Sequence, residues 1–161
     1  MRHIYYYTPL VFHFRYGMTL QETRNFTHLS KHGYKTFLFG PYSDAKGLSE
    51  VREYIGDASV VLMAVRGIRQ SRRLLDFVYL WKISQDKSPE KIVIARKFDR
   101  MDWLLKFRCL MGHPLLLYEL HERAFPHLLD PQHGNPEKMK QMSQRVLDHI
   151  DGLVLTNYSQ E

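Results

Sequence analysis

The chain of 161 residues has a single cysteine, Cys109, so no intrachain disulfide can form. That fits a reducing compartment. No apolar run approaches the ~18 residues that would mark a membrane span. The first apolar stretch, Ile4–Tyr7, is too short for the hydrophobic core of a signal peptide. A soluble cytoplasmic protein is expected, with a peripheral place on the inner face of the membrane as a further option. Several motifs are missing as well. There is no GxGxxG, which excludes the dinucleotide fingerprint, and no P-loop or kinase signature. Without GxSxG there is no hydrolase nucleophile elbow. Helix-turn-helix, zinc-finger, RNP and KH patterns are also missing, so nucleic acid is not an expected partner. "HERAF" at 121–125 opens like a zinc-protease motif, but Phe125 stands where the second histidine is needed. His28 and His32 are spaced i, i+4 without a suggested third ligand, so neither a metal nor a cofactor is expected.

What is present is a large apolar fraction. Hydrophobic residues make up 44% and aromatics 13%, enough for one compact core. Lys and Arg outnumber Asp and Glu by 23 to 17, giving a net charge of +6 that favours an anionic partner. Six short apolar runs recur at Ile4–Tyr7, Thr36–Phe39, Val60–Val65, Ile92–Ala95, Leu115–Leu120 and Leu153–Thr156. None alternates cleanly, as expected for strands covered on both faces of a parallel sheet.

Helical patterns lie between the runs. Thr19-Leu-Gln-Glu22 reads as a capping box, and Gly33 supplies the left-handed residue that ends that helix near His32. A short helix is expected at Leu48–Tyr54, and others at Ile68–Ser84 and Arg100–Met111. The last predicted helix opens at Asn135-Pro136, with Met139, Met142, Val146 and Ile150 on one face. Cys109 is expected in the core side of the helix that carries it. Strands alternating with helices predict an α/β fold: a Rossmann-like, doubly wound parallel sheet of about six strands in three layers, occupying 1–156.

Such sheets bind ligands at the carboxyl ends of their strands, near the point where strand order reverses. The residues there are Thr8 and Pro9, Arg96 and Lys97, His121 and Glu122, and Asn157. Glu119 interrupts the apolar run "LLLYEL". A buried carboxylate needs a cation, and Arg96 can serve if the two strands are neighbours. That pair would support the rim presenting His121; an ordinary loop histidine beside a structural salt bridge is the competing reading. The loop "TPLVFHFRYG" is apolar, with His13 and Arg15 interleaved. It reads either as a wall for an acceptor with an apolar part or as a loop tucked onto its own core. Gly17 at its end precedes a helix start, where free amides can meet an anion.

Arg66, Arg69, Arg72 and Arg73 crowd the start of the helix expected at Ile68–Ser84. Cations there oppose the helix dipole, which suggests an anion nearby, such as lipid phosphate. Trp103, Lys106, Phe107 and Arg108 add aromatic and basic residues on the next helix. An anionic membrane surface suits the mixture. A solvated basic face with the aromatics in the core is the more ordinary reading.

Four segments, in order, resemble the N-terminal half of a retaining glycosyltransferase of the GT-B fold, family 4-like. "GMTLQETRNFTHLSKHGYKT" is similar to the family's first helix and its turn into strand two. "IVIARKF" resembles the strand ending in arginine, and "HPLLLYELHE" the strand ending in histidine. "RVLDHIDGLVLTNYSQE" looks like the exit toward the second domain, with 157–161 as its first residues. The resemblance covers nearly the whole chain. It implies two Rossmann-like domains across a cleft, an N-terminal one for the acceptor and a C-terminal one for the nucleotide sugar. By that resemblance His121 contacts the transferred sugar.

The sequence departs from the family pattern in three places. The loop near Gly17 lacks the family's second glycine. No E-x7-E is present: eight residues after Glu119 and Glu122 stand His127 and Asp130. The sequence ends at Glu161 without a donor domain, so the expectation is an N-terminal half that does not transfer sugar alone. The competing readings are a non-enzymatic flavodoxin-like interaction domain, or a basic membrane-peripheral or RNA-binding module. A phosphoreceiver is disfavoured, because none of the six predicted strands ends in Asp.

Overall fold

The computed structural model describes residues 2–7, 17–56, 59–66, 72–121 and 136–156; for 17–22, 72, 73, 121, 136, 155 and 156 it describes the backbone alone. Six strands form one sheet: β1 (Arg2–Tyr7), β2 (Tyr34–Tyr42), β3 (Val60–Arg66), β4 (Lys91–Ala95), β5 (Leu115–His121) and β6 (Gly152–Thr156). Five helices occur among the described residues: α1 (Gly17–Lys31), α2 (Ala45–Ile55), α3 (Arg72–Gln85), α4 (Phe98–Lys106) and α5 (Pro136–His149). All strand pairs are parallel, in the order β3-β2-β1-β4-β5-β6. This is a three-layer, Rossmann-like sheet, and strand order reverses between β1 and β4.

The sequence dictates both faces. Along β1, Tyr5 and Tyr7 point one way, Ile4 and Tyr6 the other. The first face packs Tyr5, Tyr7, Phe39, Val93, Ala95 and Tyr118 against Leu75, Tyr79 and Ile83 of α3, Met101 and Leu104 of α4 and Val146 of α5. The second packs Tyr6, Leu38 and Ile94 against Phe26 of α1 and Leu48, Val51 and Ile55 of α2. Two apolar faces explain why the runs are continuous rather than alternating.

All six expected strands are present, each longer by a residue or more at one end or both. The helices differ more. α1 begins at Gly17, so Thr19 lies inside its first turn and is not the cap. Gly33, at φ +84, does end the turn that follows it. α2 is longer than expected, because the Asp44 side chain accepts from the Gly47 amide at one end and Gly56 closes the other at φ +55. The described part of α3 starts at Arg72, past the expected Ile68. α4 starts earlier than expected and stops at Lys106, not Met111. Its last bonds run from the Phe107 amide to Leu104 O and from the Arg108 amide to Leu105 O, the tighter i to i−3 pattern that closes a helix. Cys109 therefore lies in a turn and is exposed, contrary to the core position expected for it. On α5, Val146 is buried and Met139 and Met142 are partly buried, as is Ile150 just past the helix end, as the spacing predicts. No helix among the described residues is long and apolar enough to cross a membrane.

Candidate functional site

Because every strand runs the same way, the tips of β1, β4, β5 and β6 share one edge. Tyr7, Ala95 and Tyr118 lie in one row across β1, β4 and β5. β5 continues three residues past that row, about 10 Å, to His121, whose partner on β6 is Thr156. Helices α1 and α4 start at this edge, so their unsatisfied N-terminal amides flank the reversal point between β1 and β4. Lys97 caps α4 with extended backbone and no side-chain cap bond. No acidic residue occupies the first turn of α1, while Asp99 sits in that of α4. This edge can attract negative charge.

The neighbouring strands allow the pairing expected of Glu119. The carboxylate is buried, at 8% exposure, and its Oε1 lies 3.6 Å from Arg96 Nη2. That distance is an ion-pair contact rather than a short hydrogen bond. The shorter bond comes from a residue the sequence reading missed: Tyr6 OH donates to Glu119 Oε2 at 2.6 Å. The Tyr6 ring belongs to the second face, and so the Tyr6–Glu119–Arg96 set lies there, reaching from β1 across β4 to β5.

A matching set lies on the first face. Tyr7 OH donates to Asp76 Oδ1 at 2.7 Å, and Arg100 Nη1 donates to the same oxygen at 2.5 Å. The Arg100 guanidinium also stands 5.0 Å over the Tyr7 ring. Burial lowers the affinity of Arg100 for its proton, but the bond to Asp76 and the nearby negative groups outweigh it, so its pKa is raised. Consecutive tyrosines of β1 thus anchor two carboxylate–arginine pairs, one on each side of the reversal point. The signal was available in principle: successive strand residues alternate faces, so the second and third tyrosine hydroxyls of "YYY" must find partners on opposite sides. Burial pushes the nearby Tyr118 phenol up to about 12, with the charges of Asp99 and Glu119 adding to the shift. It stays protonated at neutral pH and can serve only as a hydrogen-bonding group.

The amino edge is wired differently. Asp86 accepts from Tyr5 OH at 2.6 Å and the Ser88 amide at 2.9 Å, with His3 Nδ1 at 2.7 Å. Burial pushes the Asp86 carboxyl up, yet these bonds outweigh it and hold it below the usual carboxylate range. Lys91 Nζ donates to the carbonyls of Ile83, Asp86 and Met111. Asp151 accepts two bonds from Arg108 Nη2 and one from the Leu116 amide.

Of the sequence-predicted site residues, Arg96, Lys97 and Glu119 lie at the carboxyl edge, with Gly17 opening α1 and His121 ending β5. Thr8, Pro9, Glu122 and Asn157 lie outside the described residues, as does Arg69. Arg66 is exposed at the end of β3, and Arg72 and Arg73 open α3. The aromatic and basic surface expected around 103–108 is not an open face. Lys106 pairs with Asp102 at 2.8 Å, Arg108 pairs with Asp151, and Trp103 packs against the core and Phe107. Among the described residues no group of three His, Cys, Asp or Glu could hold a metal ion. Comparison of the chain with protein-family models, with curated proteins and with solved structures returns no match.

Proposed function

We propose that the chain is the acceptor-binding half of a retaining glycosyltransferase that uses a nucleotide-sugar donor. The observation that carries this is the carboxyl edge: the Arg96–Glu119 pair beside the β1/β4 reversal point, with Glu119 on the strand that ends in His121 and Arg96 at the tip of the neighbouring strand. A sugar acceptor is a dense array of hydroxyls, and a charged pair can exchange its internal contact for hydrogen bonds to them. Arg96 would donate, Glu119 would accept, and Lys97 would stand at the rim. The donor and its diphosphate would be held by a second domain. Departure of the diphosphate builds positive charge at the anomeric carbon, and catalysis is then positioning plus stabilisation of the leaving group. His121 would orient the transferred sugar. Gly17, Thr8, Pro9, Glu122 and Asn157 would complete the rim. In this reading the protein works in the cytoplasm, peripherally at the inner face of the membrane, and the isolated chain binds acceptor without transferring sugar.

Amide shifts of the labelled chain would be followed while mono- and disaccharide acceptors, with and without a lipid aglycone, are titrated in. The reading expects shifts confined to the neighbourhood of Arg96, Glu119 and His121, and their loss in Arg96→Ala. Acceptor contacts confined to α2 or the amino edge, or none from any acceptor, would reject it in favour of a non-enzymatic interaction domain.

A further inference from the structure

Helix α3 is apolar on both sides. Leu75, Tyr79 and Ile83 enter the core, as the helical period requires. Leu74, Phe77 and Trp81 follow one another on the outer face at spacings of three and four, and they are 55%, 66% and 54% exposed. Three large apolar side chains in a row span about 10 Å of helix axis. The ordinary outer face of such a helix is polar, so this strip has a use other than solubility.

Its surroundings indicate what covers it. Asp76 is the only acid in α3, and it turns inward to Tyr7 and Arg100. Asp86, just beyond the helix, is engaged with His3 and Tyr5. Cations bracket the strip: Arg72 and Arg73 open the helix, Arg66 is exposed at the end of β3, and Lys82 and Lys87 lie at the other end. A second copy of the chain docked on the same strip would set cations against cations. An apolar strip between positive ends is the composition of a helix lying in an anionic bilayer interface.

We infer that the outer face of α3, through Leu74, Phe77 and Trp81, docks the protein on an anionic lipid surface. This takes the peripheral location of the reading above and names the surface that provides it. Its test reads lipid binding and not acceptor binding, so either can fail alone. α3 begins at the carboxyl edge, so docking through it brings the edge that carries the candidate site toward the headgroups.

The full chain would be sedimented with vesicles of phosphatidylcholine alone and of phosphatidylcholine with one-third phosphatidylglycerol. Trp81 emission would be followed in Trp103→Phe, which leaves Trp81 as the sole tryptophan. The inference expects binding to the anionic vesicles only, a blue shift of Trp81, and weakening as salt is raised. Phe77→Ser should weaken binding at least tenfold at an unchanged melting temperature. Equal binding to neutral vesicles, no binding, binding indifferent to Phe77→Ser, or self-association abolished by Phe77→Ser would each overturn it.

Discussion

The two tyrosine–carboxylate–arginine sets at the reversal point use the same chemistry with different tightness. Asp76 is gripped by Tyr7 at 2.7 Å and Arg100 at 2.5 Å, with the guanidinium also over the Tyr7 ring. Glu119 is gripped by Tyr6 at 2.6 Å, while Arg96 stands back at 3.6 Å. Tight pairs that close on themselves hold elements together. Here they tie α3 and α4 to β1. The Arg96–Glu119 contact is longer and sits at the strand tip beside the reversal point, which is why the proposed acceptor site is placed at Arg96 and not at Arg100.

The largest expected effect separates the sets by stability. Arg100→Ala removes the closest partner of a partly buried carboxylate and should cost about 3 kcal/mol in chemical unfolding. Arg96→Ala should cost less, about 1–2 kcal/mol, because Glu119 keeps its bond from Tyr6. Equal losses would erase the distinction. The tyrosines give a smaller and inverted contrast. Tyr6→Phe should cost about 2 kcal/mol, since it removes a 2.6 Å bond to a buried carboxylate, and Tyr7→Phe about 1 kcal/mol, since Arg100 still holds Asp76. A double-mutant cycle on the two tyrosines would read both.

Acid should weaken the other edge of the sheet. The carboxyls of Asp86 and Asp151 lie below their ordinary value of about 3.9 because hydrogen bonds and cations outweigh the effect of burial. Each therefore contributes stability that is present above that value and disappears as pH falls through its lower folded value. The melting temperature should drop steadily below about pH 4, and Asp86→Asn should make the drop shallower. The smallest effect belongs to the outer face of α3, where Phe77→Ser should change stability by no more than about 0.5 kcal/mol.

Much of the fold was legible because the two faces of the sheet demanded it. Strands such as Ile92–Ala95 and, up to Glu119, Leu115–Tyr118 carry apolar residues at every position, as a parallel strand covered on both faces requires. The Arg96–Glu119 pair was legible for a related reason: a carboxylate inside an apolar run must have a cation within reach. Tyr6, Tyr7, Asp76 and Arg100 were not found, because the tyrosines' partners lie 113 and 69 residues away, Arg100 lies 24 residues from Asp76 on a different helix, and all these meetings depend on strand order. Cys109 was misplaced because apolar spacing runs on past Lys106, whereas the helix closes with i to i−3 bonds and Arg108 turns to Asp151. Leu74, Phe77 and Trp81 were absorbed into a helical pattern whose inner side alone accounts for the core.

The most direct measurement of the central claim is a calorimetric titration of one glycosyl acceptor into the wild-type chain and into Arg96→Ala. The account predicts an affinity at least about tenfold lower in the variant, a difference of about 1.4 kcal/mol, with the fold retained. An acceptor that binds both proteins equally would contradict it.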